Sequence, residues 1–356
     1  MSWNPGDVTT DREYVHLETH PSQYRHLQLR IEGAVATIAI NIQEHMGHRE
    51  GYELKLNSYD ISVDIELADV VQRLRFEHPE VTCVVITSAT PGVFSSGANI
   101  FMLGTSSHAF KVNFCKYTNE TRLYIEDATE NSGQTYIAAC NGITSGGGYE
   151  LPLACKEIYL VDDRNSAVSL PEIPFLGVLP GTGGLTRVVD KRNVRRDQAD
   201  LFVTLAEGFK GRKAVKMGLV DAVFPLSRFE ESIDKRAKEI AQGGHPDRTG
   251  VALNSVAPTI DEDGLHYRHV EVEFGPTVRT ATITVKGPTE VPDIGSDPTA
   301  LGADWYPLRA WREVDDALLR LRFHYRDVGL VLVKTSGSVD NVLAVDAQLD
   351  EHKDHW

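Results

Sequence analysis

The sequence predicts an α/β protein, and three observations carry the prediction. A strand, helix, strand order opens the patterned part of the chain, two glycine-containing turns each follow a short apolar strand, and the opening order recurs near the C-terminus. The 356 residues suit one large domain or two ordinary ones, and 41% hydrophobic residues are enough for a substantial core.

Residues 1–24 form a polar arm without periodicity. From Leu27, "LQLRIEGAVATIAI" alternates around a turn and predicts a two-stranded hairpin. Val63, Leu67, Val70, Val71 and Leu74 then fall at helical spacing, and Pro79 lies beyond the helix they predict. "VTCVVIT" is a β-branched run suited to a buried strand. "TYIAAC" predicts another strand, "GGGYELPLAC" a helix for which Pro152 suits a start, and "KEIYLVD" a further strand. Helical segments follow in "ADLFVTLAEG", "GRKAVKMGLVD" and "FEESIDKRAKEIAQGG".

A repeat is visible without gaps. "ELADVVQRLRFEHPEVTCVVI", starting at Glu66, aligns with "EVDDALLRLRFHYRDVGLVLV", starting at Glu313, and eight of the 21 positions are identical. Upstream, "RHLQLRIEGAVATIAI" at Arg25 resembles "RHVEVEFGPTVRTATITV" at Arg268. The expected organisation is an arm at 1–24, a catalytic domain at 25–242, a Gly- and Pro-rich linker at 243–265, and a second half-domain at 266–356. The second copy stops inside a helical pattern and carries "NVLAVDA" where the first has "FSSGANI", so all chemistry is expected in the first copy and the second is expected to be truncated.

Composition narrows the functional classes. A formal net charge of −15 disfavours nucleic acid and anionic membranes as partners. The basic run Arg187–Arg196 reads as a solvated face, the alternative being a local anion site. No run of 18 apolar residues occurs, the first residues do not read as a secretory signal, and Cys83, Cys115, Cys140 and Cys155 lack metal or redox spacing. A reducing, cytoplasmic setting is the expectation. His45, His48 and Glu50 lie close in sequence but have no second ligand cluster, so they predict a loop rather than a metal site.

Two turns carry the candidate chemistry: "VFSSGANIFML" and "NGITSGGGYEL". Glycine lets backbone N–H groups approach a ligand, and the second turn opens a helix whose first donors are unpaired. Side by side, such turns present two donors to one oxygen. Tight turns and close packing would use the same glycines, and neither "GGG" nor "PGTGGLTR" fits a phosphate-loop or dinucleotide pattern. Glu150, in the first turn, is favoured there by the helix dipole alone.

"FSSGANIFML", "NGITSGGGYELPLACKEIYLVDD" and "SLPEIPFLGVLPGTGGLTR", in that order, resemble the crotonase (enoyl-CoA hydratase/isomerase) superfamily over Leu27 to Gln242. The resemblance implies a crotonase-like spiral of ββα units, followed here by a partial second crotonase-like copy. It implies an acyl-coenzyme A thioester as substrate, oxyanion donors at the backbone N–H groups of Ala98 and Gly147, and catalytic glutamates at Glu150 and Glu172. Substrate contacts fall on Gly97, Asn99, Ile100, Gly146 and Gly148.

The "REGYELKLNSYDISVDIELADVVQRLRFEHPEV" segment, "GANIFMLG", "VNFCKYTNETR" and the duplicated half are similar to the ring-opening branch of that superfamily. That implies cleavage of 2,3-epoxybenzoyl-CoA with water to 3,4-dehydroadipyl-CoA semialdehyde and formate in aerobic benzoate degradation. It also implies a cysteine at or beside position 95, where this chain has Ser95. "KLNSYD" supplies polar groups near the ring by family position. No metal and no cofactor beyond the coenzyme A of the substrate are expected, and the incomplete second copy suggests a homodimer. The other readings are an ordinary enoyl-CoA hydratase/isomerase and a non-catalytic acyl-CoA-binding subunit.

Overall fold

The computed structural model describes residues 14–245, 247–275, 279–295 and 297–356. The chain divides into two compact units: Thr19–Arg248, and Thr249–Trp356 joined by the N-terminal segment through Glu18. Residues 1–13 of the expected arm and 276–278 of the second hairpin lie outside the described residues.

In the first unit the alternating run folds as an antiparallel hairpin, β1 (Leu27–Glu32) and β2 (Val35–Ile40). After the short strand β3 (Ser58–Tyr59), the helix Ile61–Phe76 follows, ending ahead of Pro79. Asp60 caps it, accepting from Ser62 N at 2.9 Å. The same carboxylate accepts from His48 N at 2.5 Å and Tyr52 OH at 2.6 Å, which ties the "EHMGHRE" loop to the helix. His48 stacks on Phe110, His45 faces Glu53, and no metal-sized group of His, Cys, Asp and Glu forms among the described residues.

β4 (Cys83–Ser88) leads through β5 (Gly92–Ser95) and β6 (Gly97–Ala98) to the helices Ile100–Thr105 and His108–Asn131. Then come β7 (Thr135–Cys140), β8 (Gly142–Ser145), the helix Gly147–Ala154, β9 (Glu157–Asp162), β10 (Val168–Ser169) and β11 (Ala222–Pro225). The main sheet has the order β1-β2-β4-β7-β9-β11, parallel from β2 onward, and β10-β8-β5 make a second parallel sheet. Parallel strands are covered on both faces. Cys83, Val85, Ile137, Ala139, Tyr159 and Val161 accordingly pack against Phe229, Ile233 and Ala237 of the helix Phe229–Ala241.

Two expectations change. Pro152 is the sixth residue of the helix Gly147–Ala154 rather than part of its start, because the glycines themselves are the first turn. The basic run is not simply a solvated face. Arg187 is buried, with a bidentate pair to Glu126 at 2.9 Å, while Arg192 pairs with Asp221 and Arg195 with Asp197.

Helices Ile61–Phe76 and His108–Asn131 are joined by a buried ion pair, Asp64 with Arg122. Thr118 Oγ1 donates to the same carboxylate at 2.6 Å.

The second unit holds β12 (Thr259–Ile260), β13 (Gly264–His266), β14 (Val270–Phe274), β15 (Thr280–Lys286), the helix Tyr306–His324, β16 (Leu330–Ser336) and the helix Val339–Glu351. β14 and β15 are antiparallel, and β16 runs parallel to β15, the relation that β4 has to β2. Equivalent side chains make equivalent bonds inside each unit. Asp69 accepts from Tyr24 OH at 2.5 Å and from Arg73 Nε at 2.8 Å; Asp316 accepts from Tyr267 OH at 2.8 Å and from Arg320 Nε at 2.6 Å. Glu66 accepts from His26 N at 3.0 Å, and Glu313 from His269 N at 2.7 Å.

Replacing Asp64 by Ala strands the Arg122 guanidinium in the interior, and breaking such a pair costs about 3–5 kcal/mol. Denaturant titration is expected to show that loss for Asp64→Ala, and a change under about 1 kcal/mol would remove the pair from the fold's supports.

Candidate active site

The three glycines of "TSGGGYE" each meet a different constraint. Gly146 has φ +57°, a region other residues avoid, and a methyl there would lie 3.3 Å from Glu172 Oε1. A methyl on Gly147 would come within 2.0 Å of the Tyr59 hydroxyl, and one on Gly148 within 2.3 Å of the Ser95 carbonyl oxygen. The run is therefore the point where helix, β3 segment and β5 end meet without side chains between them.

Gly97 closes the arrangement from the other turn. Its φ is +90°, and a methyl there would lie 2.8 Å from Gly147 N and 2.8 Å from Ser145 O. Ser95 fixes this turn: its hydroxyl donates to Asn57 O at 2.8 Å and accepts from Gly97 N at 3.1 Å. Asn99 holds the far side. It caps the helix Ile100–Thr105 through Met102 N at 2.9 Å, and its amide donates to Glu53 O at 2.7 Å and Ser58 Oγ at 3.0 Å. Asn99 thus positions the turn, with its side chain spent on protein partners, while Ile100 is exposed. Ala98 pairs in register with Tyr59. Gly147 and Gly148 begin a helix, so their N–H groups have no carbonyl one turn back.

The two glutamates occupy unlike surroundings. Glu150 is 2% exposed and faces the Thr182–Gly184 turn. It accepts from Gly184 N at 2.8 Å, Thr182 N at 3.1 Å and the Thr182 hydroxyl. A methyl on Gly184 would strike this carboxylate, and Gly183 adopts φ +86° beside Arg187. Arg187 braces the turn by donating to Thr182 O at 3.1 Å. "PGTGG" is therefore a cradle for Glu150, a role its spacing alone does not reveal.

Glu172 begins the helix Glu172–Leu176 and lies over Gly146. Its buried Oε2 has no hydrogen-bond partner among the described residues. Burial first, and the charge of Glu150 second, push its pKa up from 4.5 to about 7. A carboxyl that is neutral and charged in similar amounts near pH 7 can accept or deliver a proton.

Sequence reasoning singled out both glutamates and both glycine turns. It left out Thr182, Gly184, the Asp64–Arg122 pair and the reach of Tyr59 to Gly147. Cys115 was read only as a buried thiol; its Sγ would lie 3.7 Å from a methyl on Gly181, and burial, then the charges of Glu150 and Asp64, push its pKa up.

A family model described as Enoyl-CoA hydratase/isomerase matches residues 53–285. A curated protein named benzoyl-CoA-dihydrodiol lyase, from Aromatoleum evansii, is 54% identical over 349 residues, covering 97% of this chain and 62% of the relative. The chain thus spans less than two thirds of that relative's length. Among solved structures, the Geobacillus kaustophilus HTA426 protein named "Enoyl-CoA hydrates" superposes with a TM-score of 0.54 at 32% identity, over 61% of this chain and 75% of its own. An enoyl-CoA hydratase from Bacillus anthracis gives 0.53 at 25% identity, over 62% and 78%.

Two outcomes are expected from this geometry. Gly148→Ala forces a Cβ onto the Ser95 carbonyl and is expected to lower stability by about 1–3 kcal/mol in denaturant titration. Glu172 also links folding to pH. Its folded pKa is raised, so the stability it contributes is complete below about 4.5 and is lost as pH climbs through about 7. Glu172→Gln is expected to flatten that part of the stability–pH profile, and Glu150→Gln to move the Glu172 pKa downward in an NMR titration.

Proposed function

The chain belongs to the enoyl-CoA hydratase/isomerase family, and from that premise we propose that it opens and cleaves the ring of an aromatic-derived acyl-CoA. The substrate of this reading is 2,3-epoxybenzoyl-CoA or its dihydrodiol form. The products are 3,4-dehydroadipyl-CoA semialdehyde and formate, and losing one carbon as formate while six stay on the thioester consumes two waters from the epoxide or one from the dihydrodiol. The setting would be aerobic benzoate degradation. What carries the reading is the meeting of the Gly97–Ala98 turn with Gly147 beneath a half-ionised Glu172. The 54% identity to a protein named for such a lyase supports the choice of acyl group.

In this reading the N–H groups of Ala98 and Gly147 hold the thioester oxygen as electron density moves onto it. Such donors are worth most where charge develops in the reaction, about 100- to 1000-fold each. Glu172 takes a proton from the attacking water and returns one to the departing oxygen. Glu150 is the second carboxylate; burial of Glu172 first, and the charge of Glu150 second, keep Glu172 protonatable near neutrality. Gly97, Gly146 and Gly148 let the thioester approach the backbone, and Ile100 offers an exposed apolar contact. Leu330, Leu332 and Val333 on β16 and Val339, Val342 and Leu343 beyond it are exposed apolar side chains, which support self-association as a homodimer. The matching hairpin, helix, strand order and matched polar bonds support the second unit as a partial crotonase-like copy.

The test is an assay of the 356-residue chain with 2,3-epoxybenzoyl-CoA, following formate. Release of formate is expected, with Glu172→Gln lowering kcat by about 10²- to 10⁴-fold. Hydration of crotonyl-CoA without formate from the epoxide would instead assign an ordinary hydratase, and binding without turnover of either a non-catalytic acyl-CoA-binding subunit.

A further inference from the structure

Tyr59 stands where the two donor-bearing turns meet. Its carbonyl accepts from Asn99 N at 2.8 Å, and its phenol oxygen lies against Gly147, as the 2.0 Å approach to a methyl there shows. The residue is 5% exposed. The Arg122 guanidinium lies 5.5 Å from its ring centroid and the Phe114 ring 6.1 Å away. It borders a small, mostly apolar cavity whose wall also includes Val63, Asp64, Leu67, Gly147 and Leu151.

Arg122 Nε, in the same wall, has no hydrogen-bond partner among the described residues, while the carboxylate and the serine hydroxyl there are engaged. Asp64 takes Thr118 and Arg122, and Ser95 takes Asn57 O and Gly97 N. No hydrogen bond joins the Tyr59 hydroxyl to any described residue, although a buried tyrosine O–H normally has a partner. Burial holds this phenol neutral, since its pKa lies well above the usual value, so it is a donor.

We propose that Tyr59 is a specificity-determining residue that donates its O–H to an oxygen on the ring carbon next to the one bearing the thioester. The inference rests on the ring-opening reading. In a 2,3-oxygenated benzoyl thioester that oxygen is on the carbon adjacent to the carbonyl-bearing carbon. A donor beside Gly147, where the carbonyl is held, is placed to reach it. The phenol thereby distinguishes an oxygenated ring from a bare one, because an unmet donor in the wall is left behind when the oxygen is missing.

The experiment measures Kd by calorimetry for 2-hydroxybenzoyl-CoA and benzoyl-CoA, on the wild-type chain and on Tyr59→Phe, which keeps the ring under Arg122. Wild type is expected to favour the oxygenated ring by about three- to ten-fold. Tyr59→Phe is expected to abolish the preference while leaving benzoyl-CoA affinity within about two-fold, a pattern that simple loss of structure would not give. Equal wild-type affinities, or a preference that survives in Tyr59→Phe, overturn the assignment. If that variant does not fold, Tyr59→Met supplies the same comparison with the phenol removed. Failure of the ring-opening reading appears separately, as wild-type protein that releases no formate.

Discussion

The close backbone approach at Gly146, Gly147 and Gly148 is the constraint on which the rest of the site depends. Three segments converge there, and each glycine removes a different collision: a forbidden dihedral, a phenol and a carbonyl. Glycine loses more conformational freedom on folding than any other residue, roughly 0.5–1 kcal/mol relative to alanine in regular structure. Three in succession are tolerated because what they permit has no substitute. Only without side chains do the Gly97 turn and the helix start come this close, as the two-donor reading proposed above requires.

That geometry fixes the electrostatics. Glu150 sits one turn into the same helix, so it cannot move without displacing Gly147, and the Thr182–Gly184 cradle locks it. A fixed negative charge beside a partly buried Glu172 raises the energy of a second negative charge. Arg122 supplies the compensating cation deeper in the wall but is committed to Asp64. The pair of glutamates is thus asymmetric: one held in hydrogen bonds, the other with an oxygen that finds no partner among the described residues.

How much of this was legible follows from what kind of signal each feature leaves. β1, β2, β4 and the helix Ile61–Phe76 announce themselves by periodicity, since alternation and helical spacing are local properties. The three-stranded sheet β10-β8-β5 was missed because its strands, two to four residues long, are too short to show alternation. Pro152 was misplaced because proline at a helix start is the common case, while here the glycines had already begun the helix. Glu150 and Glu172 were legible through motif resemblance, but their inequality was not. It arises from Thr182 and Gly184, more than thirty residues from Glu150, and from burial. Arg187 looked like surface charge because its partner Glu126 is 61 positions away.

The proposed repeat separates what supports the fold from what serves the chemistry. Tyr24, Asp69, Arg73 and Glu66 have counterparts in Tyr267, Asp316, Arg320 and Glu313, and the bonds among them recur. These groups tie the first strand of a hairpin to the helix that covers it, and burying them unpaired would be costly, so the set survives or fails as a whole. Asp64, which aligns with Trp311, is not part of that set. Trp311 is exposed, whereas Asp64 is buried against Arg122 in the wall beside Tyr59. The Asp64–Arg122 pair therefore belongs with the site rather than with the hairpin and helix brace common to both units. Its place behind the phenol puts the pair in the wall proposed to read the acyl ring, whereas Tyr59 itself aligns with Tyr306 in the second unit.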